Sequence, residues 1–170
     1  MEDSMFNNSS YQLDRLDRQT IILDIEKADG AGVDKINFSV ELMEALNIDK
    51  KYNLFLDSIS TLNCVDNDTS TDTMGFLLSI NNFNILSSSN QQMSRKLFIP
   101  NEQSGGTGAS NTKTHKGKKM NYICKVEPTR IQTISGSITL LDGLTDIFKG
   151  TAVGTTAGRI IIELILIKAE

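Results

Sequence analysis

Tryptophan is absent, histidine occurs once, and the aromatic residues together make up 6% of the 170 residues. A lone His115 excludes His-rich metal centres and leaves any Ser-His-Asp triad hanging on one loop residue. Cys64 and Cys124 are the only cysteines, too few for a disulfide framework. Both fall on the apolar phase of strand-like runs and read as small buried hydrophobes, in keeping with a reducing compartment. No apolar run approaches the ~20 residues of a membrane-spanning helix; the longest, 160–167, is interrupted by Glu163. The opening MEDSMFNNSSYQL carries acids and no apolar core, so no signal peptide is expected and the Asn-X-Ser/Thr triplets at Asn7, Asn8 and Asn67 read as chance matches. A net charge of −4 argues against wholesale coating of nucleic acid, and no sequence-specific nucleic-acid binding is expected.

What the chain does have is alternation. In YNLFLDSISTLNC, residues 52–64, Tyr52, Leu54, Leu56, Leu62 and Cys64 share one phase and polar residues interleave on the other, the period of a half-buried strand. Phe55 and Ile59 are apolar on the face expected to point outward. Similar runs begin at Arg18, with Ile21, Leu23 and Ile25, and at Ile36, with Phe38 and Val40. The segment SVELMEALN fits both periods and is read as a strand ending near Val40 followed by a short helical turn capped by Ser39. In 74–86 the apolar phase slips, which predicts a bulge near Asn81 and Asn82. Further strands are expected over 95–100, 120–126 and 131–140. The last, RIIIELILIK, is apolar on both phases, as in a central strand covered on both faces.

Polar segments separate these runs: 65–73, 87–94, the glycine- and lysine-rich 101–119, and an irregular connection over 141–156. Residues 1–17 show no sustained period and read as an arm that is flexible or ordered by a partner; 18–170 form the folded domain. About eight strands with almost no helix predict an all-β, two-sheet antiparallel sandwich, and the long loops suit a single jelly roll.

Candidate chemistry is sparse. GGTGASNTKTHKGKK lacks the glycine that a phosphate-binding loop places before Lys113-Thr114; Thr112 stands there. The same loop gathers Lys113, His115, Lys116, Lys118 and Lys119 into a basic contact site with no interleaved aromatic residue for base stacking. Asp66, Asp68 and Asp72 approach calcium-ligand spacing but lack the central glycine and closing glutamate, so a solvated turn is expected and no metal or cofactor site is assigned. Asp57 and Glu163 are carboxylates set in apolar runs, the residue types of a paired acid/base site in a sandwich-fold glycosidase, but nothing in the sequence shows that they approach each other, and such residues more often face solvent or pair with a lysine.

In order and character, YNLFLDSISTLNC, GFLLSINNFNI, KLFIPNE, HKGKKMNYICKVEPTRIQTISGSITLLDG and RIIIELILI, spanning about residues 52–168, resemble the small minor capsid proteins of nucleocytoplasmic large DNA viruses. The resemblance implies a non-enzymatic single jelly roll that lies beneath or between major capsid capsomers and cements them. Its partners would be the major capsid protein and other minor capsid proteins, in a virion assembled in host cytoplasm. It carries over no catalytic or cofactor residue. It makes 1–17 and 101–119 candidates for intersubunit contact, with Lys113, His115, Lys116, Lys118, Lys119, Phe55 and Ile59 as candidate contact residues. A vertex (penton) protein of the same fold, or a carbohydrate-binding or carbohydrate-cleaving sandwich, remains the alternative. The second is weakened by the shortage of aromatic stacking platforms.

Overall fold

Alternating runs pair into two antiparallel layers in the computed structural model, which describes residues 18–27, 36–66, 75–85, 95–102, 113–115, 121–145, 147–150 and 158–169. The strands are β1 (Arg18–Lys27), β2 (Asn37–Ile48), β3 (Tyr52–Leu62), β4 (Cys64–Asp66), β5 (Gly75–Ile80), β6 (Leu97–Pro100), β7 (Lys113–His115), β8 (Asn121–Val126), β9 (Thr129–Thr139), β10 (Phe148–Gly150) and β11 (Gly158–Lys168). Sheet A runs β1-β11-β3, with both β7 and β8 pairing the far side of β3; sheet B runs β2-β9-β5-β6. The chain passes from one sheet to the other between most successive strands, closing β11 between β1 and β3, as a jelly roll requires. β4 and β10 form a separate two-stranded ribbon. Among the described residues there is no helix.

The core lies between the sheets. Leu23, Leu54, Leu164 and Ile162 of sheet A meet Phe76, Leu78, Ile134 and Ile138 of sheet B, all buried. Each such side chain removed from water contributes about 1.5–3 kcal/mol before entropy is set against it. Cys64 and Cys124 are buried thiols outside any disulfide, as small hydrophobes at these positions should be. Burial raises the Cys124 pKa, with a backbone hydrogen bond at Asn84 opposing, so this thiol is a poor nucleophile.

Irregularities in the pairing correct several expectations. Opposite β11, Ser58 faces Glu163 and Leu56 faces Leu164, leaving Asp57 as an extra residue in β3. That bulge exchanges the faces: Tyr52, Leu54 and Leu56 point inward before it, and Ile59 and Thr61 after it. Ile59 is therefore a core residue rather than an outward contact, and Leu62 is only half-buried.

The expected helical turn after Val40 is absent. β2 continues to Ile48, and its register against β9 breaks between Glu41 and Leu46, where residues 42–45 bulge opposite Gln132, whose Nε2 donates to Leu42 O at 2.8 Å, with Leu42 packed partly against the core and Met43 fully exposed. A bulge spaces Val40, Met43 and Leu46 by three, which mimics the helical period. The expected bulge at Asn81 and Asn82 is instead the turn that ends β5. There the Asn82 side chain takes the place of a backbone unit. Its Nδ2 donates to Thr133 O at 3.0 Å and its Oδ1 accepts from Ser135 N at 3.0 Å. The expected irregular connection over 141–156 contains β10, whose Phe148 is fully buried.

Candidate interaction surfaces

Strand register fixes which residues share the outward face of sheet A. One cross-strand row reads Thr20, Ile165, Phe55, Tyr122. On either side of it lie Arg18, Ile167, Asn53, Lys125 and then Ile22, Glu163, Ser58; beyond these come Asp24, Ile161, Ser60 and Thr114. Phe55 and Tyr122 pack edge to face, ring centroids 5.7 Å apart at 67°, a geometry worth about 0.5–1.5 kcal/mol beyond burial. Ile165 is buried on this face, Phe55, Ile161 and Ile167 are half-buried, and Ile22 and Tyr122 are 58% and 54% exposed. Sheet A thus carries branched aliphatic and aromatic side chains on the side away from the core. An Arg159–Asp24 ion pair at 3.1 Å closes one end, exposed and worth at most about 1 kcal/mol.

The outward face of sheet B differs. Its rows read Asn37, Ser137, Ser79 and Ser39, Ser135, with Glu41 opposite Thr133. Apolar character returns only at one end, where Leu77 lies between Thr139 and Phe98. There the Phe98 ring covers Gly75, and a Cβ at that position would stand 2.4 Å from the ring.

His115 is not an exposed contact residue. β7 sets it opposite Ile59, and its ring is buried against Phe76 and Phe148, with centroids 5.1 Å and 5.5 Å away. The Glu102 N–H donates to Nδ1 at 3.2 Å, which places the proton on Nε2, 3.2 Å from Thr61 Oγ1. Thr61 in turn donates to Lys113 O at 3.4 Å. Burial pulls the His115 pKa down to about 4, a backbone hydrogen bond at Pro100 opposing in part. The imidazole is neutral near pH 7 and stays within the core. A lysine-rich stretch ending in an apolar pocket explains why its sequence looked like surface.

Of the remaining candidate contacts, Lys113 is exposed on β7 and Phe55 is half-buried on the outward face of sheet A. Lys116, Lys118 and Lys119 lie outside the described residues, as do 1–17, Asp68 and Asp72. Asp57 and Glu163 do come onto neighbouring strands, one register step apart, and Ser58 Oγ donates to Glu163 Oε2 at 3.1 Å. Among the described residues no three His, Cys, Asp or Glu side chains are grouped to hold a metal ion. No helix among them is long and apolar enough to cross a membrane. Ile161, Ile165 and Ile167 were legible only indirectly, through the double-phase apolarity of β11, and Ile22 through the run Ile21-Ile22-Leu23; Tyr122 alternates in sequence with the inward Cys124 and Val126, and the register shift opposite Leu54 and Phe55 turns it outward instead.

Two open grooves run between the edge strands β1 and β2. The larger, about 460 Å³, is bordered by residues 19–22 and 42–47; the smaller, about 320 Å³, by 24–27 and 37–40. No protein-family model matches the chain, and no curated protein matches it significantly.

Proposed function

We propose that this chain is a structural interaction protein, a minor capsid component that cements larger capsomers by packing the outward face of sheet A against its neighbours. The observation that carries the reading is the row Thr20, Ile165, Phe55, Tyr122 with Ile22, Ile161 and Ile167 around it, on a face that water alone would keep polar. Supporting it is the resemblance of residues 52–168 to minor capsid proteins of large DNA viruses. Exposed Lys113 and Lys125 at the β7–β8 side supply charge at the rim, where acidic neighbours would orient the contact. A vertex protein of the same fold would use the same face.

The test is co-sedimentation of the full chain with capsid-sized particles from the cells that make it, followed by cross-linking mass spectrometry. The reading expects cross-links from Lys113 and Lys125 to a more abundant shell protein. A chain that remains a lone monomer and fails to sediment with particles overturns it.

A second reading, a carbohydrate-binding or carbohydrate-cleaving sandwich, draws on the neighbouring positions of Asp57 and Glu163. It expects signal on a glycan array that is lost in Glu163→Gln; an array without binding rejects it.

A further inference from the structure

We infer that the free edge of β1 pairs, antiparallel and about a two-fold axis, with β1 of a second copy of this chain, joining two sheets A into one continuous sheet. It goes beyond the shell reading, which assigns this edge no partner. Among the described residues β1 is bonded along one side only, to β11, through ten consecutive register pairs without a break. Its other side presents a row of backbone donors and acceptors, the feature that recruits a strand from another chain.

The other sheet edges are blunted. β2 is interrupted by the four-residue bulge at 42–45. β6 is four residues long and ends at Pro100, which has no N–H to donate. β7 is three residues long, and β8 carries a register shift opposite Leu54 and Phe55. β1 has no proline, glycine or bulge to protect it.

Its side chains also select a register. Two copies of a strand keep their inner and outer faces matched only if the numbers of facing residues sum to an even value. With Ile22 facing Ile22 the sum is 44, and the outer row sets Arg18 against Glu26 and Thr20 against Asp24, each twice by symmetry. The inner row sets Ile21 against Leu23 and Gln19 against Ile25. Ile22, the most exposed apolar residue of β1 at 58%, is then covered by its own copy. Moving the axis one residue toward the N-terminus sets Ile22 against Thr20 and brings Arg18 to Asp24, which already holds Arg159. Moving it the other way sets Ile22 against Asp24. Of these registers only the one centred on Ile22 covers Ile22 with its own copy while setting opposite charges at both ends without drawing on the Asp24–Arg159 pair.

The experiment is sedimentation velocity on the full chain across a concentration series, with near-identical thermal midpoints confirming that each variant is folded. The wild-type chain is expected to dimerise. Arg18→Glu and Glu26→Arg are each expected to weaken the dimer about tenfold, since each places two like-charge pairs in the interface. The double variant R18E/E26R restores opposite charges and is expected to return within about threefold of wild type on the same grounds. Ile22→Lys is expected to leave only monomer. A wild-type chain that stays monomeric, single reversals without effect, or a double variant that does not recover each overturns the pairing; an edge occupied by residues 1–17 or by a different protein gives one of these results. Because particles play no part in this measurement, its failure leaves the shell reading standing, and failed co-sedimentation leaves the dimer standing.

Discussion

The outward faces of the two sheets are built on the same pleat and differ in chemistry. Over β2, β9 and β5, sheet B presents Ser39, Ser79, Ser135, Ser137 and Thr133, the pattern of an antiparallel sheet with one side in water. At the corresponding place sheet A presents Ile165, Phe55 and Tyr122, with Ile161 and Ile167 beside them. Both sheets bury an equally apolar inner face, so the difference does not come from the needs of the core. Over these strands the outward face of sheet B is polar and that of sheet A is apolar.

The contrast is broken most severely from inside sheet B. A Cβ at Gly136 would stand 2.0 Å from Ser79 O and 2.5 Å from the Phe38 ring. The Ser79 carbonyl belongs to the paired strand β5 and cannot swing aside as a side chain can. Gly136→Val is expected to cost more than about 3 kcal/mol, read as a collapse of the urea midpoint or loss of soluble protein.

At the β7 border of sheet A the lever is pH. His115 protonates near 6.5 in the unfolded chain and near 4 in the folded one. Between these values the unfolded state holds the extra proton, so stability falls as pH falls through that window and is fully present above about 6.5. The loss contributed by this residue reaches up to about 3 kcal/mol by pH 4. Urea midpoints between pH 7 and 4 measure it, and His115→Gln should remove this contribution to the slope.

On the outward faces themselves, Ile165→Ala is expected to destabilise the free chain by about 2–3 kcal/mol, because this side chain is buried although it points away from the core. The paired substitution on the other sheet, Ser137→Ala, should stay within about 0.5 kcal/mol. Equal effects from the two, measured by chemical denaturation, would erase the distinction between the faces. Between these two in the free chain lies Tyr122→Ser, which removes the edge-to-face partner of Phe55 and should cost about 1 kcal/mol. Its larger effect is expected on association.

Much of the fold was legible because alternation is a local property. β1, β3, β9 and β11 are each near the expected spans, and double-phase apolarity correctly marked β11 as a central strand. What failed was phase within a strand. The extra residue at Asp57 leaves no mark on composition, and only the partner β11 reveals it; Ile59 therefore looked outward while it packs inward. In β2, a four-residue excursion reproduced helical spacing, which local pattern cannot tell from a turn of helix. β7 and β10 are three residues each, too short to show any period, and both owe their existence to partners far along the chain. His115 was misread for the same reason: its neighbours in sequence are lysines, and its neighbours in space are Phe76 and Phe148. The apolar outward face was half legible. Phe55 stood out, while Tyr122, Ile161, Ile165 and Ile167 joined it only once the register was known.

Hydroxyl-radical footprinting of the chain, free and in the particle fraction where the proposed shell role would place it, tests the proposed interaction face most directly. Oxidation of Tyr122 and Phe55 is expected to fall severalfold on assembly, while Phe98, 44% exposed on the outward side of sheet B, keeps its free-chain rate. Unchanged oxidation of Tyr122 and Phe55, with protection at Phe98 instead, would contradict the account.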